Sequence, residues 1–197
     1  MAGYQALAAA GSSIVALLNR RFGERPEAAA LTAFLASATE LKTMRADTGQ
    51  LIQQPAISVY CYRVSVDSQT RPGWSAVAHT DGIPRIPLRM HVLIAAWATN
   101  VTDELRWLGL AAQVLESESI LTGPGLDPSG GWTPGEAIQI VTDDLALDSM
   151  SEAFQALSTD YRLSLPYIVR VICIDGRLEA TGEPVATVAE RTNRVSP

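Results

Sequence analysis

Residues 161–175 read YRLSLPYIVRVICID, and the alternation in this stretch decides the fold. Leu163, Leu165, Tyr167, Val169, Val171 and Cys173 take every second position, with Arg162, Ser164, Pro166, Ile168, Arg170 and Ile172 between them. Successive side chains of a strand point to opposite faces, so the first set makes one wholly apolar face. The second set begins polar and turns apolar, as in a strand half solvated at its start and covered on both sides towards its end. Proline has no amide to give to a ladder, so Pro166 predicts a sheet edge or a bulge at that point.

Working outward, residues 86–98 alternate in the same way, with Leu88, Met90, Val92, Ile94 and Ala96 against Arg89, His91, Leu93 and Trp97. Residues 56–66 set Ile57, Val59 and Cys61 on one side and Tyr60, Tyr62, Val64 and Val66 on the other, a composition typical of strands. A shorter strand is expected at 136–142. Helical spacing marks residues 4–22, and again 27–44, where Leu31, Phe34, Leu35, Ala38 and Leu41 recur at intervals of three and four. A third helix is capped by Asn100 or Thr102, with Asp103 and Glu104 in its first turn. Its apolar residues form two stripes, Leu105, Leu108, Ala112 and Leu115 beside Trp107, Leu110 and Val114, which predicts a sandwiched helix. A short fourth helix runs through Met150, Phe154 and Leu157. Residues 67–84 and the glycine- and proline-rich 123–135 lack periodicity and are expected to be loops. The polar residues 176–197 cannot bury enough surface alone and read as a C-terminal arm.

Composition narrows the function classes. Of the 197 residues 47% are hydrophobic and 18% charged, which suits a globular chain with a normal core. The longest apolar runs fall short of the roughly 18–20 residues that span a bilayer. No Lys or Arg precedes Arg20, so a secretory signal is not expected at this N-terminus. The net charge of −6 argues against nucleic-acid binding, which needs clustered positive charge. Proteins are the expected partners.

The signatures of catalysis and cofactor binding are missing. The GPGLDP sequence at Gly123 fails the dinucleotide pattern and follows a helix; no P-loop, G-x-S-x-G or H-E-x-x-H occurs. His79 and His91 are not spaced as local metal ligands, and Cys61 and Cys173 form no C-x-x-C pair. His91 reads as a hydrogen-bonded sheet residue, and both cysteines read as free, buried hydrophobes. Asp143, Asp144 and Asp148 lack the glycine and alternate ligands of a calcium loop and read as a solvated turn before a helix. Asn100-Val101-Thr102 matches a glycosylation acceptor, but helix capping explains it. Trp74 and Trp132 sit in loops where a large aromatic serves either as an interface anchor or as a tucked-in packing residue. With Arg71, and with Arg177, Val185 and Val188 of the arm, they are the candidate interface residues.

Three blocks taken together resemble a known family. AISVYCYRV with its polar loop, IPLRMHVLIAAWAT leading into LRWLGLAAQVLESESIL, and FQALSTDYRLSLPYIVRVICID are similar to the N-terminal domain of tail terminators, the cap proteins of phage-tail-like contractile injection systems. Tyr62-Arg63-Val64, Pro87-Leu88, Tyr161-Arg162-Leu163-Ser164, Tyr167 and Asp175 fall in the family's order and spacing.

The resemblance implies a single α/β (α+β) domain over residues 1–175, with a mixed, mostly antiparallel sheet of about four strands packed with helices. It implies a non-enzymatic, cofactor-free protein, a hexameric ring that stops the inner tube and joins the end of the sheath. Its partners are then further copies and the sheath and inner-tube proteins, without nucleic acid or membrane, in a particle assembled in the cytoplasm. Two other classes compete with this reading. One is a small α/β enzyme or ligand-binding domain using His79, Asp81 or His91 in a loop-built site; the other is a phage head–tail connector subunit.

Overall fold

The computed structural model of the chain describes residues 2–43, 54–74, 82–156 and 162–176. Helix α1 (Ala6–Gly23) leads through a 3-10 turn at Pro26–Ala28 to strand β1 (Thr32–Leu35) and the short helix α2 (Ala38–Thr43). Strands β2 (Ala56–Val66) and β3 (Arg85–Trp97) follow, with a 3-10 turn at Arg71–Trp74 after the first. Helix α3 (Val101–Ser117) then precedes β4 (Ile120–Thr122), β5 (Ala137–Thr142), α4 (Leu147–Ala156) and β6 (Ser164–Asp175). The strands form one sheet in the order β1-β2-β3-β6-β5-β4. Every neighbouring pair is antiparallel except β1 with β2.

The mixed, mostly antiparallel sheet is the one expected, but it has six strands instead of about four. Both extra strands are short edges. Strand β1 lies inside the stretch expected to be a helix over 27–44, where burial follows Leu31, Ala33 and Ala36 at intervals of two and three. Four residues are too few for periodicity to separate helix from strand; pairing with β2, from Thr32↔Ala56 to Leu35↔Val59, settles the state. Strand β4 is the last three residues before the Gly123 turn.

One face of the sheet carries the main core. Ile57 and Val59 of β2, Leu88, Met90, Val92, Ile94 and Ala96 of β3, Tyr167, Val169 and Ile172 of β6, and Ile138 and Ile140 of β5 pack under α1 and α3. Helix α1 contributes Ala6, Ala10, Ile14, Leu17 and Leu18, and α3 contributes Trp107, Leu108, Ala111, Val114 and Leu115. Fully burying a Leu, Ile or Phe side chain contributes about 1.5–3 kcal/mol, so this layer dominates stability. Helix α3 is not sandwiched: Leu105 stays 53% exposed, and only the side turned to the sheet is buried. Asn100 caps it as expected, its side chain accepting from the Asp103 amide at 2.9 Å. A smaller cluster on the opposite face joins Leu93 of β3 to Met150 and Phe154 of α4.

Two bulges flank β3 and correct the expected faces. In β2 the register shifts between Cys61 and Arg63, so Val64 and Val66 stand opposite Met90 and Leu88 on the core side, away from the face of Tyr60. In β6, Val169 pairs with Met90 and Ile172 with Leu88, so Arg170 and Val171 together face Arg89. The core side of β6 therefore passes from Val169 to Ile172, leaving Val171 and Cys173 off the apolar set that alternation assigns to it. The β6 bulge lies here and not at Pro166, and β6 is an interior strand. Pro166 is accommodated because its carbonyl accepts from the Asp143 amide at 3.0 Å, one residue past the end of β5. In an antiparallel pair the nitrogen and oxygen of one residue face the same neighbour. The donorless nitrogen thus faces the place where the β5 ladder stops.

Candidate assembly surface

The sheet ends in edges of different kinds. At β1, the side-chain amide of Asn19 on α1 donates to the Ala33 carbonyl at 2.9 Å and accepts from the Ala33 amide at 2.7 Å, closing that residue to further pairing. Gly11 lets α1 sit this close, since a Cβ there would lie 3.1 Å from a Leu35 methyl. Beyond Leu35 the cover ends, and β2 runs on from Tyr60 to Val66 without a strand on that side among the described residues. At the other end of the sheet β4 shows Ile120, 59% exposed.

The start of β6 is locked by a polar clamp. The Arg162 guanidinium stacks on the Trp97 ring, 3.9 Å from its centroid, and donates to Glu104 at 2.6 Å and to the Ala96 carbonyl at 3.3 Å. Trp97 in turn donates its indole N–H to the buried Ser58 hydroxyl at 2.8 Å. The network joins β2, β3, α3 and the entry to β6, and it gives the Arg of the YRLS motif a structural role. Tyr161 lies outside the described residues.

The second face of the sheet carries most of the remaining polar chemistry. His91 Nε2 lies 2.9 Å from the Ser65 hydroxyl and its Nδ1 3.4 Å from a carboxylate oxygen of Asp143, with Tyr62 edge-on to the ring. Burial, and next the Asp143 carboxylate, push the Tyr62 phenol up. The order of contacts is that of a nucleophile, base and orienting acid. However, Ser65 is the second-last residue of β2 and still paired with β3, where the amides lie in the plane of the sheet at right angles to its side chain. Its own strand therefore supplies no oxyanion donors to the hydroxyl. The arrangement ties β2, β3 and the end of β5 together, and His91 is the hydrogen-bonded sheet residue expected. Asp67 is a second anchor. Burial by itself would raise its carboxyl, but the Gln69 amide at 3.1 Å and Arg89 at 2.6 Å help hold it below the ordinary value.

The candidate interface residues fall in three places. Arg71 and the backbone of Trp74 form the 3-10 turn after Asp67, and the Arg71 guanidinium also donates to the Arg85 carbonyl at 2.5 Å. Trp132 is half-buried against the core, donates its indole N–H to the Asp127 carbonyl at 2.7 Å, and lies over Gly130. A Cβ at Gly130 would stand 2.4 Å from the Trp132 nitrogen. Buried Ser13 ties the same loop to α1 by accepting from the Asp127 amide at 2.8 Å. Arg177, Val185 and Val188 lie outside the described residues, as do His79 and Asp81. The clamp at Arg162 and the Asn19 seal were not anticipated. Arg162 could have been found as the basic residue opening an otherwise apolar strand; Asn19 had no local signal.

Both cysteines are free, as expected, and burial raises the thiol of each. Among the described residues no three His, Cys, Asp or Glu side chains are grouped to hold a metal ion, and no helix is long and apolar enough to cross a membrane.

Two solved structures share the fold. The sheath/tube terminator of an extracellular contractile injection system, PVC, in its extended state, matches 96% of this chain at 18% identity with a TM-score of 0.57. The tube-terminating cap of the anti-feeding prophage matches 94% at 19% identity with a TM-score of 0.51. The match covers 64% of the first and 60% of the second, so this chain spans less than two thirds of either. No curated protein sequence matches. Residues 9–187 match the Pvc16 N-terminal domain, and the chain belongs to that family.

Proposed function

We propose that this protein is a structural subunit of a terminator cap: a ring, hexameric, that ends the inner tube of a contractile injection system and joins the end of its sheath. The observation that carries this reading is the likeness of nearly the whole chain to a sheath/tube terminator of such a system. Membership of the family over residues 9–187 supports it. So does the form of the sheet, because closed rings are built from unlike surfaces meeting head to tail and the two ends of this sheet differ.

Its partners are further copies of itself and the sheath and inner-tube proteins. It works without cofactor, nucleic acid, membrane or catalysis, and it enters the particle in the cytoplasm. Residues 1–175 are the scaffold and 176–197 the arm. Arg71 and Trp74 on the turn, and Arg177, Val185 and Val188 on the arm, are assigned to the contacts, with Trp132 at the surface of the loop it orders.

The test is to delete the gene in cells that assemble the particle and to measure tube and sheath lengths by electron microscopy. Uncontrolled lengths, or particles that lose their sheaths, are expected. Particles of normal length and sheath attachment refute the reading.

A further inference from the structure

Among the described residues the sheet has two open margins, the end of β2 beyond β1 and the outer side of β4. They have the same polarity: β3 is antiparallel to β2 and to β6, and β5 to β6 and to β4, so β4 runs parallel to β2. The Asp67 amide bonds to the Pro87 carbonyl at 2.9 Å. Backbone direction alternates along a strand, so Asp67, Ser65 and Arg63 turn their amides and carbonyls to β3, and Val64 and Val66 turn theirs outward. On β4 the Ser119 carbonyl accepts from the Ile140 amide at 2.7 Å; Ser119 and Leu121 therefore face β5, and Ile120 and Thr122 turn outward. Both margins carry exposed branched residues, Val64 and Val66 at 44% and 45% and Ile120 at 59%. Such an edge is a template for another strand, and folded proteins normally cover it.

We propose that the two margins are the halves of one contact, in which β4 of a second copy adds to β2 as a parallel strand beyond the end of β1. The inference rests on the ring reading above and states how neighbours in the ring meet. In a parallel ladder an outward residue bonds to the two residues flanking its opposite number. Val64 then takes the Ile120 carbonyl with its amide and the Thr122 amide with its carbonyl, and the Val66 amide takes the Thr122 carbonyl. These main-chain bonds supply the affinity.

One copy cannot make this contact with itself, because β3, β6 and β5 stand between its β2 and its β4. Polarity and faces both fit a second copy lying alongside in the same orientation, the relation that head-to-tail closure requires. Leu121 is buried in the core opposite Ile138, and Val64 and Val66 stand on the core side opposite Met90 and Leu88. The parallel register sets Val64 beside Leu121, so the two core sides run on without a break. Antiparallel pairing would set Val66 against Ile120, whose side chain is on the other face from Leu121, and would turn one sheet over. Charge points the same way. Residues 107–161, which include β4 and β5, hold nine Asp and Glu and no Lys or Arg, whereas residues 54–91, which include β2 and the start of β3, hold four Arg and two Asp. The contact thus brings an acidic end of the sheet to a basic one. Residues 176–197, with three Arg and three Glu, offer no such complement.

The experiment places the photo-crosslinking residue benzoylphenylalanine at Ile120 in the full chain, and in a second preparation at Val66, and mixes copies labelled with the light and heavy isotopes of nitrogen. Mass spectrometry then maps the products, and light scattering gives the mass of the assembly. Crosslinks between copies are expected, from position 120 to a peptide containing residues 60–66 and from position 66 to one containing residues 118–124. Val64→Pro removes an amide that points away from β3, and Val64→Lys places a charge on the edge. Each should cut the yield from position 120 at least tenfold, and Val64→Lys should leave the thermal midpoint of the isolated copy unchanged. Crosslinks from position 66 to residues 177–197 of either copy, crosslinks elsewhere, or a yield that neither variant lowers overturn the proposal. Rings of full mass without the crosslinks overturn it alone, whereas failure to form any ring overturns it together with the reading on which it rests.

Discussion

Replacing Arg162 with alanine tests whether the clamp at the start of β6 holds the sheet to α3. Three contacts go at once. The stack on Trp97, at 3.9 Å, contributes about 1 kcal/mol at a partly buried site. The pair with Glu104 has side chains 32% and 25% exposed, so solvent screening limits it to about 0.5 kcal/mol. The longer bond to the Ala96 carbonyl adds about 0.5 kcal/mol. A loss of about 2 kcal/mol in a domain of this size lowers the thermal midpoint by about 4–8 °C. Arg162→Lys keeps the charge but not the planar fork that stacks and donates together, so it should lose about half as much. Urea and thermal unfolding of the three proteins, in low salt and in concentrated sodium chloride, give the comparison. Salt screens the Glu104 pair more than the stack, so most of the difference should survive it. A midpoint unchanged by Arg162→Ala, or a difference abolished by salt, refutes the assignment.

Two further perturbations probe the anchors around it. Ser58→Ala leaves the Trp97 indole N–H buried without its acceptor, and should cost about 1–3 kcal/mol in urea unfolding followed by tryptophan fluorescence; a cost near zero would show that the Ser58 hydroxyl is not needed. Asp67 has its carboxyl held below the ordinary value when folded. Its contribution is therefore present above the normal carboxylate range and lost as pH falls through the folded value. Asp67→Asn should flatten the acid side of a plot of unfolding midpoint against pH, and an unchanged acid slope counts against the role given to Arg89 and the Gln69 amide.

The long strands were legible because alternation over ten or more residues has one structural reading: β2, β3 and β6 were placed within a few residues of their observed bounds. The short edges were not. In β1, Leu31, Phe34 and Leu35 fit a helical stripe as well as a strand, and the deciding partners, β2 and Asn19, are distant in sequence or sit on another element. At β4 three residues carry no period at all, and their state is fixed by Leu121 lying opposite Ile138. Pro166 was read as an edge or a bulge and is neither, because its missing donor falls where the β5 ladder stops, a point that residue types alone do not locate. Of the candidate surface, the tryptophans were visible as aromatics in loops. That Trp132 folds onto Gly130 follows from a close approach that residue types alone do not disclose.

The bulges explain why the open edge of β2 could not be read from the sequence and why it is suited to assembly. Strict alternation puts Val64 and Val66 on the face of Tyr60. The register shift after Cys61 moves them to the face of Leu88 and Met90, where the helices have buried their neighbours but leave the valines exposed. Their backbone groups, at the same positions, point away from β3. One inserted residue therefore brings exposed apolar surface and unpaired hydrogen-bonding groups together at the margin of the main core. A bulge also twists a strand and commonly ends local pairing, which fits with β1 pairing no further than Val59. Deleting Tyr62 makes Cys61↔Val92 and Arg63↔His91 consecutive pairs, so it should remove the bulge while Val64 and Val66 keep their places opposite Met90 and Leu88. A cysteine placed at position 64 should then react with a water-soluble thiol reagent about as fast in the deletion variant as in the full-length chain, and a large loss of that labelling would refute this register.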